Sequence, residues 1–146
     1  MDKKSKFLLL QVNDALFPIG GYSHSYGLET YIQKELVTNA AEAESYIRNK
    51  LTQNLLYNEL FFCRLAWERG QAHDIEGLQE LEEVLEAGKV PSEIREASKK
   101  MGSRFAKTLK NCGIVYETPV FLRYLEKKKN GSVHHVIAYG IFCSSI

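Results

Sequence analysis

The chain is poor in the residues that build specialised chemistry. It has three cysteines, three prolines, one tryptophan and four histidines in 146 residues. Cys63, Cys112 and Cys143 are odd in number, far apart and free of any C-x-x-C spacing. That argues against a disulfide framework and fits reduced, mostly buried thiols in a cytosolic protein. Charge of one sign is also lacking: 19 Lys and Arg face 18 Asp and Glu. With no global basic field, nucleic-acid binding gains no support. The basic clusters Lys3, Lys4, Lys6 and Lys127 to Lys129 are short and read as solvated surface. Long apolar runs are absent too. Phe7 to Leu10 is cut by Gln11, Asn13 and Asp14, which is too short for a signal peptide, and no window nears the ~20 apolar residues that span a bilayer. The expectation is a cytoplasmic protein with neither nucleic acid nor membrane as partner.

What is present is an ordinary globular composition, 45% apolar and 25% charged. It implies a single domain over 1–146, able to bury about two-thirds of its unfolded surface. Helical signals dominate. A helix is expected from about Ser23 to Leu36. Asn39 and Glu42 have capping-box spacing, and Ala43, Ile47, Leu51 and Leu55 recur every four residues behind them. Leu60, Leu65 and Trp67 extend that segment to Gly70. Asp74 opens a helix with Ile75, Leu78, Leu81, Val84 and Leu85 on one side, and Gly88 closes it. Pro91 stands where the next helix can begin, and Ile94, Ala97, Met101, Phe105 and Leu109 form its apolar face. Gly113 to Phe142, rich in Val, Ile, Phe and Tyr, is open between a hairpin and two helices on pattern alone.

The stretch from Phe17 to Tyr31, FPIGGYSHSYGLETY, invites a search for chemistry. A nucleophile elbow needs G-x-S-x-G; Ser23 and Ser25 each miss by one glycine, and His24 is adjacent to both. A phosphate loop needs Lys then Ser or Thr after its last glycine; here Leu28 and Glu29 stand there. The plain reading is a turn at Pro18, Gly20 and Gly21, a cap at Ser23 or Ser25, and Gly27 inside the helix for packing, with Leu28 and Ile32 inward. His24, His73, His134 and His135 are not spaced to chelate; of His134 and His135, one is expected to pack or cap and the other to be exposed. A small carrier binding metal directly through His and Cys is the alternative from another class. The helix carrying Arg95, Lys99, Lys100, Arg104 and Lys107 is a basic amphipathic segment, most simply a core stripe with a solvated back.

Three stretches together resemble the UreF-type urease accessory proteins. The first is LLLQVNDALFPIGGYSHSYGLETYI, with Leu9 to Gln11, Phe17, Pro18, Gly20, Tyr22, Ser25, Gly27, Leu28 and Glu29 at the signature positions. The second is REASKKMGSRF, carrying Arg95, Met101 and Gly102. The third is HHVIAYGIFCSSI, carrying His135, Tyr139 and Gly140. Together with Gly21, these motif residues are the candidates for partner contact. The resemblance implies an all-α, single-domain helical bundle, which would make the last third helical. It implies a chaperone or adaptor, no enzyme, without catalytic residues, intrinsic cofactor or metal ligands. Nickel and GTP would be handled through partners: a UreD/UreH-type protein, a UreG-type GTPase and the urease apoprotein. The family's pattern continues for several helices past Ile146, so the chain is expected to be truncated, with homodimerisation a property of the longer form. Surfaces around Phe121 to Leu125 and Ile137 to Phe142 are then expected to be uncovered.

Overall fold

The computed structural model describes residues 2–21, 27–128 and 132–146. Among these residues every regular element is a helix and no strand occurs. The helices are α1 (Lys3–Val12), α2 (Leu28–Gln33), α3 (Ala40–Asn49), α4 (Phe61–Gln71), α5 (Ile75–Gly88), α6 (Ser92–Asn111), α7 (Val120–Lys127) and α8 (His135–Ser144). Between α3 and α4 the chain stays helical but widens into a π-helix over Lys50–Leu60. Helix therefore runs unbroken from Ala40 to Gln71.

Local chemistry sets the starts and stops. Asp2 accepts the Ser5 N–H at 2.7 Å and opens α1. Asp74 accepts the Gly77 N–H at 2.9 Å and opens α5. Asn39 accepts the Glu42 N–H at 3.1 Å, but the Glu42 carboxylate reaches one residue further back than a standard capping box, taking the Thr38 N–H at 2.7 Å. That bond is the main reason the Glu42 carboxyl lies below the ordinary value. Gly113, with φ +63°, follows the last turn of α6.

The core is built around α8, which packs against α4 and α6, with α7 beside it and α5 spanning α4 and α7. Seven of the ten α8 residues are buried. A helix that is apolar on every side belongs in the middle of a fold. Phe105, Phe121, Tyr124, Phe142, Leu78 and Leu109 complete the interior.

Several expectations change. The regions expected to be uncovered are the best covered: Phe121, Tyr124, Ile137, Ile141 and Phe142 have no solvent exposure. The uncovered apolar surface lies on the long helix instead. No residue of α3 or of Lys50–Leu60 is buried, and Ile47, Leu51, Tyr57, Leu60 and Phe61 are about half exposed or more. α2 is shorter than expected and begins at Leu28; Ile32 points outward, as does Val84 on α5. Gly88 ends α5 without adopting a left-handed conformation. The caps expected from Ser23 and Ser25 lie outside the described residues.

Candidate functional site

Residues from each of the three motifs meet at one joint, where the turn after α1 meets α6 and α8; Arg95, Gly27, Glu29 and Gly140 lie elsewhere. The Phe17 N–H donates to the Asp14 carbonyl at 2.9 Å, and the Ile19 N–H to the Phe17 carbonyl at 2.8 Å. This compact turn presents the Phe17 ring to Phe105, 6.0 Å between centroids. Phe105 also meets His135 edge-on at 5.4 Å, Phe142 at 5.5 Å and Tyr139 at 5.9 Å. Asn13 donates to the Tyr139 hydroxyl at 2.7 Å and ties α1 to α8.

Glycine is required where backbones approach. A Cβ on Gly102 would overlap the carbonyl of Val133 and crowd the N–H of His135, so α6 contacts the start of α8 backbone to backbone. A Cβ on Gly140 would overlap the Cys63 carbonyl and sit 2.8 Å from the Ala66 methyl on α4. Gly20, at φ +80°, lies directly against the Arg104 side chain, and a Cβ on Gly21 would sit 3.2 Å from the Met101 sulfur. Gly27 is the cap residue of α2, not an interior one. Its φ of +100° explains the glycine, since the nearest contact for a Cβ is an ordinary 3.5 Å from the Tyr46 hydroxyl. Glu29 follows in the first turn of α2 and is exposed. Pro18 is exposed in the turn, while Tyr22 and Ser25 lie outside the described residues.

A buried polar network, absent from the sequence reasoning, locks α5, α6 and the start of α8. Glu82 is 6% exposed. It accepts the His134 N–H at 2.8 Å and the Tyr124 hydroxyl at 2.5 Å, and pairs with Lys128. The His134 ring is bonded on both sides, with Glu86 at 2.6 Å from Nε2 and Ser98 Oγ at 3.1 Å from Nδ1. Glu86 also pairs with Lys99 at 2.6 Å and Arg95 at 3.3 Å. Burial lowers the His134 pKa, outweighing its two glutamates. The neutral ring then donates from Nε2 to Glu86 and accepts from Ser98. Burial pushes Glu86 up, but the bonds from Lys99 and His134 outweigh it and hold the carboxyl below its usual value. The available signal was Glu82 standing four residues after Leu78, inside the apolar stripe of α5. His135 is half-buried against Phe105, so neither of the two histidines is the exposed one expected.

Ser98, His134 and Glu86 resemble a nucleophile, base and orienter in order. Two features argue against hydrolysis. Ser98 is 5% exposed, and it sits in mid-helix, where neighbouring backbone N–H groups are used by α6 itself and cannot stabilise an oxyanion. Burial pushes the Cys143 thiol up to about 12 and raises Cys63, opposite to what a nucleophile needs. Among the described residues no group of three or more His, Cys, Asp or Glu side chains is placed to hold a metal ion. A groove of about 630 Å³ runs between Lys50–Leu60, the α5–α6 junction and α8, with Leu51, Leu55, Ile94 and Tyr139 on its walls. Lys89 and Glu59 pair across it at 2.5 Å.

The model of the family described as UreF matches residues 37–146, three-quarters of the chain. The chain belongs to the UreF family of urease accessory proteins. It is 34% identical over 135 residues to the urease accessory protein UreF of Bacillus sp. (strain TB-90), covering 91% of this chain and 58% of that protein. The Actinobacillus pleuropneumoniae serotype 5b protein of the same name is 40% identical over 99 residues, 68% of this chain and 44% of its own length. The Haemophilus influenzae (strain PittEE) protein is 40% identical over 114 residues, 78% and 47% respectively. The chain thus spans about half the length of the curated relatives it matches. The family model begins after the Pro18–Glu29 stretch, whereas the Bacillus alignment takes in most of it. Among the described residues no helix is long and apolar enough to cross a membrane.

Proposed function

We propose that the chain serves as a non-enzymatic adaptor in urease maturation, joining a UreD/UreH-type protein and a UreG-type GTPase on the urease apoprotein for nickel insertion. In this reading nickel and GTP belong to the partners, and the place of work is the cytoplasm. The observation that carries it is the use of the motif residues. Gly20, Gly21, Met101, Gly102, His135, Tyr139 and Gly140 make helix-to-helix and helix-to-turn joints, while apolar side chains from Ile47 to Phe61 stay exposed. A fold that spends its recognisable residues on rigidity and leaves an apolar helix face open suits a scaffold for other proteins, or for a second copy in the longer form. Glu29, exposed at the start of α2, is the motif carboxylate open to a partner.

The test is co-purification. A tagged chain, alone and extended to the length of its relatives, is mixed with the accessory GTPase, the UreD-type protein and apo-urease. Capture of the accessory proteins by the extended form, with no GTPase or esterase activity of its own, is the expected result. Intrinsic hydrolysis lost on Ser98→Ala would overturn the reading, as would stoichiometric tight nickel binding lost on His135→Ala with no capture of partners.

A further inference from the structure

Resting on the adaptor reading, and deepening it, we infer that the outward face of α6 is a docking surface for an acidic helical segment of a protein partner. Glu93, Glu96, Ala97, Lys100, Arg104 and Lys107 fall on one face of the helix at 100° per residue. That stripe lies opposite the buried positions Gly102, Phe105 and Leu109. The cations on the flank of the helix behave differently from those on the stripe. Arg95 and Lys99 are engaged with Glu86 of α5. Lys100, Arg104 and Lys107 form no ion pair with a carboxylate among the described residues.

The stripe borders a built groove. A depression of about 470 Å³ lies between α6 and the turn at Gly20, with Ala97 and Met101 as its apolar floor and Lys100 and Arg104 on its rim. The left-handed Gly20 lets Arg104 lie against the turn backbone, which holds the guanidinium beside the groove and lowers the entropy lost on binding. An apolar side chain fits the floor and carboxylates at i, i+4 and i+7 fit Lys100, Arg104 and Lys107. Glu93 and Glu96 close the other end of the groove and repel a continuous polyanion, which favours a protein helix over nucleic acid or an anionic membrane.

The experiment titrates the chain with a fluorescent helical peptide of about 15 residues bearing three glutamates at that spacing and one leucine between them. Saturable binding is expected. It should weaken about tenfold or more in Lys100→Glu/Lys107→Glu, whose side chains make no hydrogen bond or ion pair among the described residues, and likewise from about 50 to about 500 mM NaCl. Arg104→Gln, checked for an unchanged thermal midpoint, should weaken it less. Equal binding by the charge-reversed protein would overturn the inference. So would binding of a DNA duplex or phosphatidylserine vesicles as tight as that of the peptide. The same variant enters the co-purification with the accessory proteins. Capture unchanged by the charge reversal removes this surface and leaves the adaptor reading standing. No capture by any form, with the peptide still bound, removes the adaptor reading and leaves the surface.

Discussion

α8 and the long helix through Lys50–Leu60 both carry large apolar side chains, more densely in α8, and they end in opposite environments. Val136, Ile137, Ile141 and Phe142 are enclosed by α4, α6 and α7, whereas Ile47, Leu51, Leu60 and Phe61 stay about half exposed. The enclosed helix has glycines where its neighbours come closest, at Gly140 itself and at Gly102 opposite its first turn. The open helix has no such close joint over Ala40–Leu60, and its middle relaxes into the wider π geometry, a form that otherwise occurs mostly as single-turn bulges, often at functional sites. The contrast teaches that an apolar stripe marks a face that seeks cover, while small residues at backbone contacts mark cover already in place.

The largest expected effect breaks the enclosed side. Phe105→Ala removes the ring shared by Phe17, His135, Tyr139 and Phe142. It should cost about 3–5 kcal/mol of unfolding free energy in denaturant titration, by lost transfer energy plus the cavity. A smaller loss follows from acid. The buried His134 and the half-buried His135 both titrate below the ordinary histidine value because burial disfavours their charged forms. The unfolded chain takes up those protons as the pH drops through about 6.5, before the folded one does, so stability is full above that pH and declines below it. Thermal midpoints from pH 7.5 to 5.5 should fall for the wild type and fall less for His134→Gln. The smallest effect belongs to the open side. Leu51→Ser with Leu60→Ser should change stability within about 0.5 kcal/mol per site, while lowering any concentration-dependent association seen by sedimentation.

The same contrast explains what could be read in the sequence. The helices with one apolar stripe were legible from period and caps, as at Asp74 and at Ile94 to Leu109. α8 was not, because a helix buried on all sides has no polar face to set a period, and its Val, Ile, Phe and Tyr content reads equally as strand. The turn at Pro18 to Gly21 was recognisable as a turn, but its partners Met101 and Arg104 are some eighty residues away. The Glu82–His134–Glu86 network joins three helices and leaves only a carboxylate inside an apolar stripe as its local trace. Burial of Phe121, Tyr124, Ile137, Ile141 and Phe142 could not be inferred because it depends on which faces α4 and α6 turn toward α8. Gly27 was expected inside the helix for packing, but it caps α2, and its backbone φ, not crowding, requires glycine.

Native-state hydrogen exchange on the isolated chain tests the division between the two regions most directly. Amides of His135–Ser144 should exchange only through global unfolding, and those of Lys50–Leu60 through local opening at much lower free energy. Adding the accessory partners should slow the second set and leave the first unchanged. Equal protection of both segments in the isolated chain would contradict the account, because the long helix would then belong to the same closed core as α8.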